Sequence, residues 1–395
     1  MLRVAMVAYT YYASDPRVRR EAEVLAERGD AVDVYCLRRP GEPASEAIRG
    51  VRVHHLPMAR YRGGKALPYM GSYCRFFLLA AWALGWRHLR RPYDLVHANN
   101  MPDFMAFTAL VPRLGGRPLI LDIHDTMPEI YQGKFGVGAG HPLIRLLRIQ
   151  ERASARFASR VLTSEHTKRE ALIAHGLPAA KIAVLLNAPD PRLFPPSPPR
   201  PARPAAAGFR LVFHGTLAER LGVDLALRAV ALLGDRIPEL RLDIIGDGDQ
   251  RPALLALRDE LGLHGRVHFS EGMVPVEALP GLLAAADLGV IPTREEIGTR
   301  YMLPTKLLEY AALGIPAVVA PTHTIRYYFD DAQVAFFTPG SAESLAAVIH
   351  ALYADPAARQ RLAAGAARFG ERYGWARHKQ VYVDLVDALC AAGKE

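Results

Sequence analysis

The segment TREEIGTRYMLPTKLLEYAALGIPAVVA (293–320) combines residue types that suit the binding of a diphosphate. Pro304, Thr305 and Lys306 open a predicted helix that carries Glu309 about one turn later. The first turn of a helix presents unpaired backbone N–H groups and a partial positive charge, which both attract a diphosphate. Lys306 adds a full charge at this end, where lysine is otherwise unfavourable. The Glu309 carboxylate can accept two hydroxyl hydrogen bonds, as from a ribose.

The structural alternative for Lys306 and Glu309 is a solvated ion pair, which at helical spacing contributes only about 0.2–0.5 kcal/mol. In isolation this alternative would be preferred. A loop that follows a strand and opens a helix, with a buried strand after it, favours a ligand site instead.

A dinucleotide-binding enzyme is excluded by the missing glycines after the first predicted strand. That strand runs into VAYTYYASDPRV, whereas the dinucleotide motif needs G-x-G-x-x-G at this place. GDGDQRPAL (246–254) offers only Gly-x-Gly before a helix, after the second strand of its half. Its Asp247 and Asp249 lie in a predicted turn and lack the context of a metal-dependent transferase, so we expect no metal and no other resident cofactor.

Short apolar runs alternate with helical stretches through both halves of the chain, which predicts buried parallel sheets covered by helices on both faces. The strand candidates are 3–9, 31–37, 51–57, 94–100, 118–125, 160–165 and 182–188, followed by 210–216, 240–249, 267–272, 288–293 and 316–321. We therefore predict an α/β protein with two Rossmann-like, doubly wound parallel-sheet domains that face each other across a cleft.

The proline-dense stretch 190–208 divides the chain, and its composition is typical of a semi-stiff linker. We predict a first Rossmann-like domain over 1–189 and a second over 209–370. The segment 371–395 is predicted to be a helix that crosses back to the first domain, with Trp375, Tyr382 and Leu385 as its packing residues.

Positive charge is concentrated in the first half of the chain. Residues 1–191 hold 27 Lys and Arg against 17 Asp and Glu, a net charge of +10, whereas residues 192–395 hold 22 against 23, a net charge of −1. Such a field favours an anionic partner. Arginine usage in a high-GC genome explains the residue type but not the asymmetry. No nucleic-acid recognition motif accompanies the basic half, so we expect no nucleic-acid partner.

Three widely spaced cysteines, Cys36, Cys74 and Cys390, predict a reducing compartment. The first residues lack the features of a signal peptide, and no apolar run reaches the roughly 18–20 residues that span a bilayer. We expect a cytoplasmic protein. Peripheral attachment to the inner face of the plasma membrane stays open because 67–94 is basic and aromatic, as in helices that lie in a membrane interface. The alternative is a helix whose aromatic face packs on the sheet.

Several motifs together resemble the retaining glycosyltransferases of family 4, which have the two-domain GT-B arrangement, and the resemblance covers nearly the whole chain. PTKLLEYAALGIPAVVA is similar to the signature helix whose glutamate binds the nucleotide ribose, and GDGDQRPAL to the family's Gly-x-Gly turn. The segment VHFSEGMVPVEALPGLLAAADLGVIPT resembles the base-contacting segment. LLNAPDPRLF (185–194) resembles the approach to the hinge, and LDIHD (121–125) resembles a strand end that carries a histidine near the reacting sugar.

The resemblance implies a hexosyltransferase-like enzyme that binds a nucleotide-diphosphate sugar in its second domain. The residues expected to bind the donor are Gly215, Thr216, Arg220, Gly246, Gly248, Met273, Val274, Tyr301, Pro304, Thr305, Lys306 and Glu309. His124, Lys306 and Glu309 are expected to take part in catalysis. The acceptor is expected to be a lipid-linked glycan or one used in envelope or exopolysaccharide assembly.

Three departures from the family pattern affect these expectations. Tyr301 stands where the first of the family's paired glutamates is usual, so recognition of the donor sugar must differ. Thr216 and Leu221 occupy the usual phosphate-binding Arg and Lys positions, and Arg220, next to the second, is expected to replace the lysine. The glycine-rich loop after the first strand is replaced by TYYASDPRVRR (10–20).

The acceptor side is expected to use residues from that replaced loop and from the ends of two later strands. The candidates are Asp15, Arg17, Arg19, Asn100 and Asp125. For the loop residues the alternative is a solvated helix start capped by Ser14 or Asp15. For His124 the alternative is a satisfied histidine at a strand end.

Family analogy implies retention of anomeric configuration, with the departing phosphate helping to deprotonate the acceptor and no protein nucleophile. Two other functions stay open on the sequence alone. A nucleotide-sugar epimerase shares the two-domain arrangement, but the pattern around Glu309 does not match that group. A catalytically silent protein that binds a nucleotide sugar or a membrane is kept open by Tyr301.

Overall fold

The computed structural model describes residues 1–61, 66–199 and 208–392, and they form two compact units. One comprises Met1–Asn187 with Ala376–Glu395, and the other Ala188–Trp375. The observed boundary therefore lies at 187–188, close to the start of the proline-dense stretch. Of that stretch, residues 200–207 lie outside the described residues, as do 393–395 of the C-terminal segment.

The first unit is built on an eight-stranded sheet with the order β3-β4-β2-β1-β5-β6-β7-β8. Its strands are β1 (Arg3–Val7), β2 (Ala31–Leu37), β3 (Ser45–Ile48), β4 (Val51–Leu56), β5 (Leu95–Asn99), β6 (Leu119–Ile123), β7 (Arg160–Thr163) and β8 (Ile182–Val184). Its helices before the boundary are α1 (Pro16–Glu27), α2 (Ala66–Arg90), α3 (Leu110–Leu114), α4 (Met127–Phe135), α5 (Pro142–Phe157) and α6 (His166–Ala174).

One strand of this sheet departs from the predicted parallel pattern. β3 pairs with β4 in the antiparallel direction at the edge of the sheet. Its side chains alternate between exposed and half-buried, so no apolar run marks it in the sequence. The remaining pairs are parallel, and β1, β5 and β6 are neighbours. Their carboxyl ends therefore bring Asn100, His124 and the loop after β1 to the same edge.

The second unit contains a six-stranded parallel sheet with the order β11-β10-β9-β12-β13-β14. Its strands are β9 (Phe209–His214), β10 (Leu240–Ile245), β11 (Val267–Phe269), β12 (Leu288–Ile291), β13 (Ala317–Val319) and β14 (Ala335–Phe336). Its helices are α7 (Val223–Leu233), α8 (Arg251–Glu260), α9 (Leu279–Leu283), α10 (Thr305–Ala312), α11 (His323–Tyr328), α12 (Ala342–Ala354) and α13 (Pro356–Tyr373). Buried aliphatic side chains from β9, β10, β12, α7 and α12 form its core.

The last helix, α14 (Trp375–Ala392), packs on the first unit from Ala376 onward. Its buried side chains there include Tyr382, Val386 and Cys390, whereas Leu385 is only half-buried. An ion pair between Asp387 and Arg28, 2.8 Å long, joins the helix to the end of α1.

Within the described part of the chain, no helix combines the length and the apolar character that crossing a bilayer requires.

Candidate active site

α10 begins where the sequence predicts it, and its first turn carries a buried lysine. Lys306 is 8% exposed, and its Nζ lies 3.7 Å from the centroid of the Phe213 ring. Burial lowers the pKa of Lys306 to about 7, the nearby Arg220 lowers it as well, and Glu309 opposes the shift. An amine in this position can change its charge when an anion arrives. The solvated alternative for Lys306 is therefore wrong, because its side chain is buried.

Glu309 faces the carboxyl end of β9, where it meets a histidine. Its Oε2 lies 2.5 Å from His214 Nε2, and His214 Nδ1 lies 3.0 Å from the Tyr310 hydroxyl. Tyr310 donates in turn to the carbonyl oxygen of Val212 at 3.2 Å. This chain of hydrogen bonds fixes one oxygen of the Glu309 carboxylate and leaves the other in a partly exposed position. Such a carboxylate can accept hydroxyl hydrogen bonds from a ligand.

Glycines bring the loops after β9 and β10 into close backbone contact. A Cβ at Gly246 would lie 1.9 Å from the Gly215 carbonyl oxygen, and one at Gly248 would lie 2.2 Å from the Leu217 carbonyl oxygen. A Cβ at Gly215 would lie 3.5 Å from Lys306 Nζ. The predicted donor residues Gly215, Gly246 and Lys306 therefore belong to one cluster. A side chain at Gly246 or Gly248 would clash with the neighbouring loop, so this close approach requires glycine at both positions.

Arg220 lies in a short 3₁₀ helix, Glu219–Leu221, and is exposed to solvent. The backbone of this turn is fixed by Arg294, whose guanidinium pairs with Asp224 at 2.7 Å and donates to the Glu219 carbonyl oxygen. Arg294 also donates its backbone N–H to the Arg220 carbonyl oxygen at 2.9 Å. Arg220 is near enough to depress the pKa of Lys306, so both cations belong to one region of the second unit.

The remaining donor candidates lie on loops of the same unit. Thr305 and Thr216 are exposed, and Pro304 is buried at the N-cap of α10. Tyr301 is half-buried, with its ring centroid 6.1 Å from that of His323. Met273 is 68% exposed, and Val274 beside it is half-buried. Both residues lie on the loop that follows β11.

In the first unit, His124 follows β6 and is held on both sides of its ring. Its Nδ1 lies 2.5 Å from Asp122 Oδ1, and its Nε2 lies 3.3 Å from Asn187 Oδ1. Burial opposes ionisation of Asp122, but His124, Arg17 and His97 together outweigh it and hold the pKa of Asp122 below its usual range. Lys168 donates to the His124 carbonyl oxygen. His124 is thus oriented with one ring nitrogen on a buried carboxylate, as catalytic imidazoles commonly are.

Asn100 joins the ends of β5 and β6. Its Oδ1 accepts the His124 backbone N–H at 3.0 Å, and its Nδ2 donates to Asp103 at 2.9 Å and to the Asp125 carbonyl oxygen at 2.6 Å. The amide is therefore fully used in shaping the loop that carries His124. Asn100 and Asp125 are close together, as the sequence predicts.

A polar cavity of about 330 Å³ opens beside this loop within the first unit. Its lining residues include Asp15, Arg17, Asn100 and Asp125, together with Arg60 and three tyrosines, Tyr9, Tyr69 and Tyr73.

Asp15 has two tasks in this region. It caps α1, since its Oδ1 accepts the Val18 backbone N–H at 3.2 Å, and its Oδ2 lies 3.7 Å from the Arg17 guanidinium. The capping alternative for Asp15 is therefore part of the observed structure. Arg19 does not line the cavity: its guanidinium lies 3.4 Å from Glu23 and donates to the Ala13 carbonyl oxygen.

Sequence reasoning missed the side chains that hold the proposed catalytic groups. His214, Asp122 and Asn187 each contact one of them. Asp122 lies in LDIHD and Asn187 in LLNAPDPRLF. A polar residue within a predicted buried segment was the signal that could have identified both. The pairing of His214 with Glu309 joins residues 95 positions apart, and no local pattern predicts it.

Two family models together match most of the chain. Residues 14–188 match the glycosyl transferase 4-like domain, and residues 208–355 match the glycosyl transferases group 1 domain. A D-inositol 3-phosphate glycosyltransferase of Kineococcus radiotolerans is 30% identical over 383 residues, which cover 90% of this chain and 85% of that protein. The protein of the same name from Thermomonospora curvata is 28% identical, and the alignment covers 94% of this chain and 90% of that protein.

Solved structures show the same fold at lower identity. Sucrose-phosphate synthase from Thermosynechococcus elongatus superposes with a TM-score of 0.77 at 19% identity, over 99% of this chain and all of that one. Anabaena HepE in complex with UDP and glucose gives a TM-score of 0.73 at 18% identity, over 98% of this chain and all of that one. The chain therefore belongs to the group 1 glycosyltransferases of family 4, and its two α/β units have the GT-B fold.

Proposed function

We propose that this glycosyltransferase moves a sugar from a nucleotide-diphosphate donor to an acceptor hydroxyl with retention of anomeric configuration. The observation that carries the proposal is the cluster formed by Lys306, Glu309 and Gly215 at the carboxyl end of β9. It offers a cation to a diphosphate and a carboxylate to a ribose. The structure of HepE with UDP and glucose makes a nucleotide donor consistent with the fold.

The chemistry requires stabilisation of the negative charge that develops on the departing diphosphate. We assign this task to Lys306, Arg220 and the backbone N–H groups at the start of α10, because fixed cations and dipoles in a partly dry site act strongly on developing charge. In this proposal no metal ion takes part. The departing phosphate helps to deprotonate the acceptor, and His124 orients hydroxyl groups near the reacting carbon.

The acceptor is assigned to the polar cavity of the first unit. Tyrosine hydroxyls and two guanidinium groups, Arg17 and Arg60, line it, which suits a hydroxylated acceptor that carries negative charge. We propose a lipid-linked or envelope glycan. A phosphorylated polyol is the second candidate, since relatives of 28–30% identity carry the name D-inositol 3-phosphate glycosyltransferase.

A donor panel tests the proposed activity. Thermal shift with UDP-, GDP-, ADP- and dTDP-sugars should raise the melting temperature only for the nucleotides that the second unit accepts. The selected donor is then incubated with inositol phosphate or with a lipid-linked glycan, and the anomeric configuration of the product is read by NMR. Inversion would contradict the mechanism. Binding without transfer to any acceptor or hydrolysis would favour the silent-binder alternative.

The outward side of α2 supports attachment to a membrane surface. Tyr73, Phe76, Ala80 and Leu84 face the core, as the covering-helix alternative expects. A second apolar row is exposed on the same helix and contains Leu78, Trp82, Trp86 and Leu89, which are 49–71% exposed. Exposed aromatic and aliphatic residues in one row are typical of helices that lie in a membrane interface.

Cationic side chains border this exposed row. A cavity of about 500 Å³ beside the two tryptophans is lined by Arg3, Arg52, Arg87, Arg90 and Arg91. The Arg90 guanidinium stacks over the Trp86 ring, 4.3 Å from its centroid, and α2 contains no acidic residue. Because anionic headgroups attract such a surface, we propose that α2 docks on the anionic inner face of the plasma membrane.

Neutralising Arg87, Arg90 and Arg91 with glutamine is expected to abolish binding to phosphatidylglycerol vesicles. Each arginine near an anionic surface contributes about 1 kcal/mol to the free energy of binding. Loss of all three should therefore weaken vesicle binding by about two orders of magnitude. Binding of the unmodified protein should weaken as salt rises, while vesicles of neutral lipid should bind poorly. Cosedimentation measures both effects, and a blue shift of tryptophan emission should accompany binding because Trp82 and Trp86 are exposed and Trp375 is buried.

The control variant neutralises Arg241, an exposed arginine of the second unit, and should bind vesicles as the unmodified protein does. Equal binding to neutral and anionic vesicles would contradict the proposed role of the arginines.

A further inference from the structure

A cluster of buried polar side chains lies below His124 in the first unit. Glu21 of α1, His97 of β5 and Asp122 of β6 bring one ligand-type atom each within 4.8 Å of one another. Their exposure is 1% or less. Within the described residues, both Glu21 carboxylate oxygens, His97 Nε2 and Asp122 Oδ2 have no hydrogen-bond partner. Unsatisfied buried polar atoms cost about 1–3 kcal/mol each, so a proton, an ion or a water that joins them would stabilise the cluster.

The charges around the cluster oppose a metal ion. α1 directs Arg17 and Arg20 toward Glu21, and both guanidinium groups act on the ionisation of Glu21, as does Asp15 at the start of the helix. His97 and Asp122 face it from the sheet, and Tyr382 faces it from α14. Two fixed cations already neutralise the carboxylates, so a divalent ion would gain little there. A shared proton satisfies the same oxygens without additional charge.

The tautomer of His97 depends on its contact with Tyr382. The Tyr382 hydroxyl lies 2.9 Å from His97 Nδ1. When the phenol donates to Nδ1, the ring proton resides on Nε2, which is 3.9 Å from Glu21 Oε2. Burial lowers the pKa of His97 to about 4, so a single proton on the ring is the relevant state near neutral pH. His97 then presents a donor to Glu21.

The proton between the two carboxyl groups belongs to Glu21. Burial first, and then the neighbouring Asp122, raise the pKa of Glu21 to about 8. Asp122 keeps its charge because His124, Arg17 and His97 together outweigh the effect of burial on its pKa. Near neutral pH the pair therefore consists of a neutral acid and an anion, which is the usual outcome for two adjacent carboxyl groups.

We propose that Glu21 is a positioning residue that, as a neutral acid, accepts a hydrogen bond from His97 and donates one to Asp122 Oδ2. His97 Nε2 lies 3.9 Å from Glu21 Oε2, and the ligand-type atoms of Glu21 and Asp122 lie within 4.8 Å of each other. Closing both contacts therefore requires side-chain shifts of about 1–2 Å. The network then runs from Tyr382 on α14 through His97 and Glu21 to Asp122 and His124. Helix α14 thus contributes to the orientation of His124 through Tyr382. The expected effect on catalysis rests on the proposed role of His124, whereas the protonation of Glu21 and its contacts do not.

Infrared spectroscopy tests the protonation of Glu21 without measuring activity. The unmodified protein should show the carbonyl band of a protonated carboxylic acid, and this band should disappear as pH rises through about 8. Glu21→Gln should lose this band, whereas the band of Asp103, whose pKa burial also raises to about 8, should remain. The Glu21 band should shift in Tyr382→Phe, which removes the hydroxyl but keeps the ring. A spectrum of the Glu21→Gln variant that matches that of the unmodified protein would overturn the proposal, whatever the enzyme is found to do.

Kinetics with saturating donor tests the positioning role. Glu21→Ala should lower kcat on the order of 10-fold with little change in donor KM, and Glu21→Gln should restore it because the amide also donates and accepts. Rates of the unmodified enzyme should decline through pH 8, where Glu21 ionises and places a second anion beside Asp122, and this decline should vanish in Glu21→Gln. Equal losses in both variants, or stoichiometric metal bound to the purified protein and absent from Glu21→Ala, would overturn the proposal.

Discussion

Replacing Lys306 with glutamine is expected to lower kcat/KM for the donor by a factor on the order of 10²–10³, the loss typical for one group that stabilises developing negative charge. Its amine is buried against the Phe213 ring and beside Gly215, so a cation from the solvent cannot take the place of the lost amine. Steady-state kinetics with the donor selected by the thermal-shift panel measures the effect. Lys379→Gln removes the same charge from an exposed position on α14 and should leave the rate nearly unchanged.

The state of Lys306 also predicts that donor binding is coupled to proton uptake. Burial lowers the pKa of the free lysine to about 7, and a bound diphosphate should raise it again. At pH 8 most of the free enzyme carries the neutral amine, so binding should take up close to one proton. At pH 6 the amine is already charged, and little uptake is expected. Above pH 7 the donor Kd should increase by up to about tenfold for each pH unit.

Calorimetry of donor binding in two buffers of different ionisation enthalpy measures the proton uptake directly. Lys306→Arg, whose guanidinium stays charged, is the matched control and should show no uptake at pH 8. An unmodified protein that binds donor without proton uptake at pH 8 would contradict this account of Lys306. The same pKa shift affects folding: between pH 7 and the ordinary lysine range, the unfolded chain binds more protons, so stability should rise with pH there.

Asp122→Asn is expected to reduce kcat by a factor on the order of 10²–10³, with the donor Kd unchanged. Asp122 accepts the hydrogen bond of His124 Nδ1 at 2.5 Å and so fixes the orientation and tautomer of the ring, and loss of such a carboxylate leaves an imidazole with the wrong tautomer. Transfer rates with saturating donor and acceptor give kcat, and titration of the nucleotide gives Kd.

His124→Ala should cause a loss of similar size, and the double variant should be no worse than either single variant, because the two residues act as a unit. Additive losses would contradict the pairing. The matched control is Asp259→Asn, in which an exposed acidic residue of the second unit loses an ion pair with Arg258 and the first unit is untouched.

The sequence predicts the sheets and the starting point of α10 because buried parallel strands are continuous apolar runs and helix starts have local signals. The fold class and the family resemblance are confirmed. β3 was missed because it is an edge strand that shows no apolar run. β14 was missed because it has only two residues.

The site is less predictable than the fold. Lys306 and Glu309 occupy one helix, so their spacing alone brings them together. Their surroundings depend on distant residues such as Phe213 and His214, which become neighbours only when β9 and α10 pack. Likewise, the buried carboxyl group of Glu21 lies on a helix whose other side chains predict an ordinary amphipathic pattern, and its neighbours come from β5, β6 and α14.

The central claim is that Glu309 holds the ribose of a nucleoside diphosphate bound at the start of α10. Its most direct test compares UDP, or the diphosphate that the donor panel selects, with the 2′,3′-dideoxy analogue by calorimetry. The unmodified protein should bind the analogue about 10- to 100-fold more weakly, since hydrogen bonds to a charged group contribute about 1.5–3 kcal/mol. Glu309→Gln should bind both nucleotides with nearly equal affinity, and Glu239→Gln, at an exposed position, should discriminate as the unmodified protein does. Equal discrimination in Glu309→Gln and in the unmodified protein would contradict the claim.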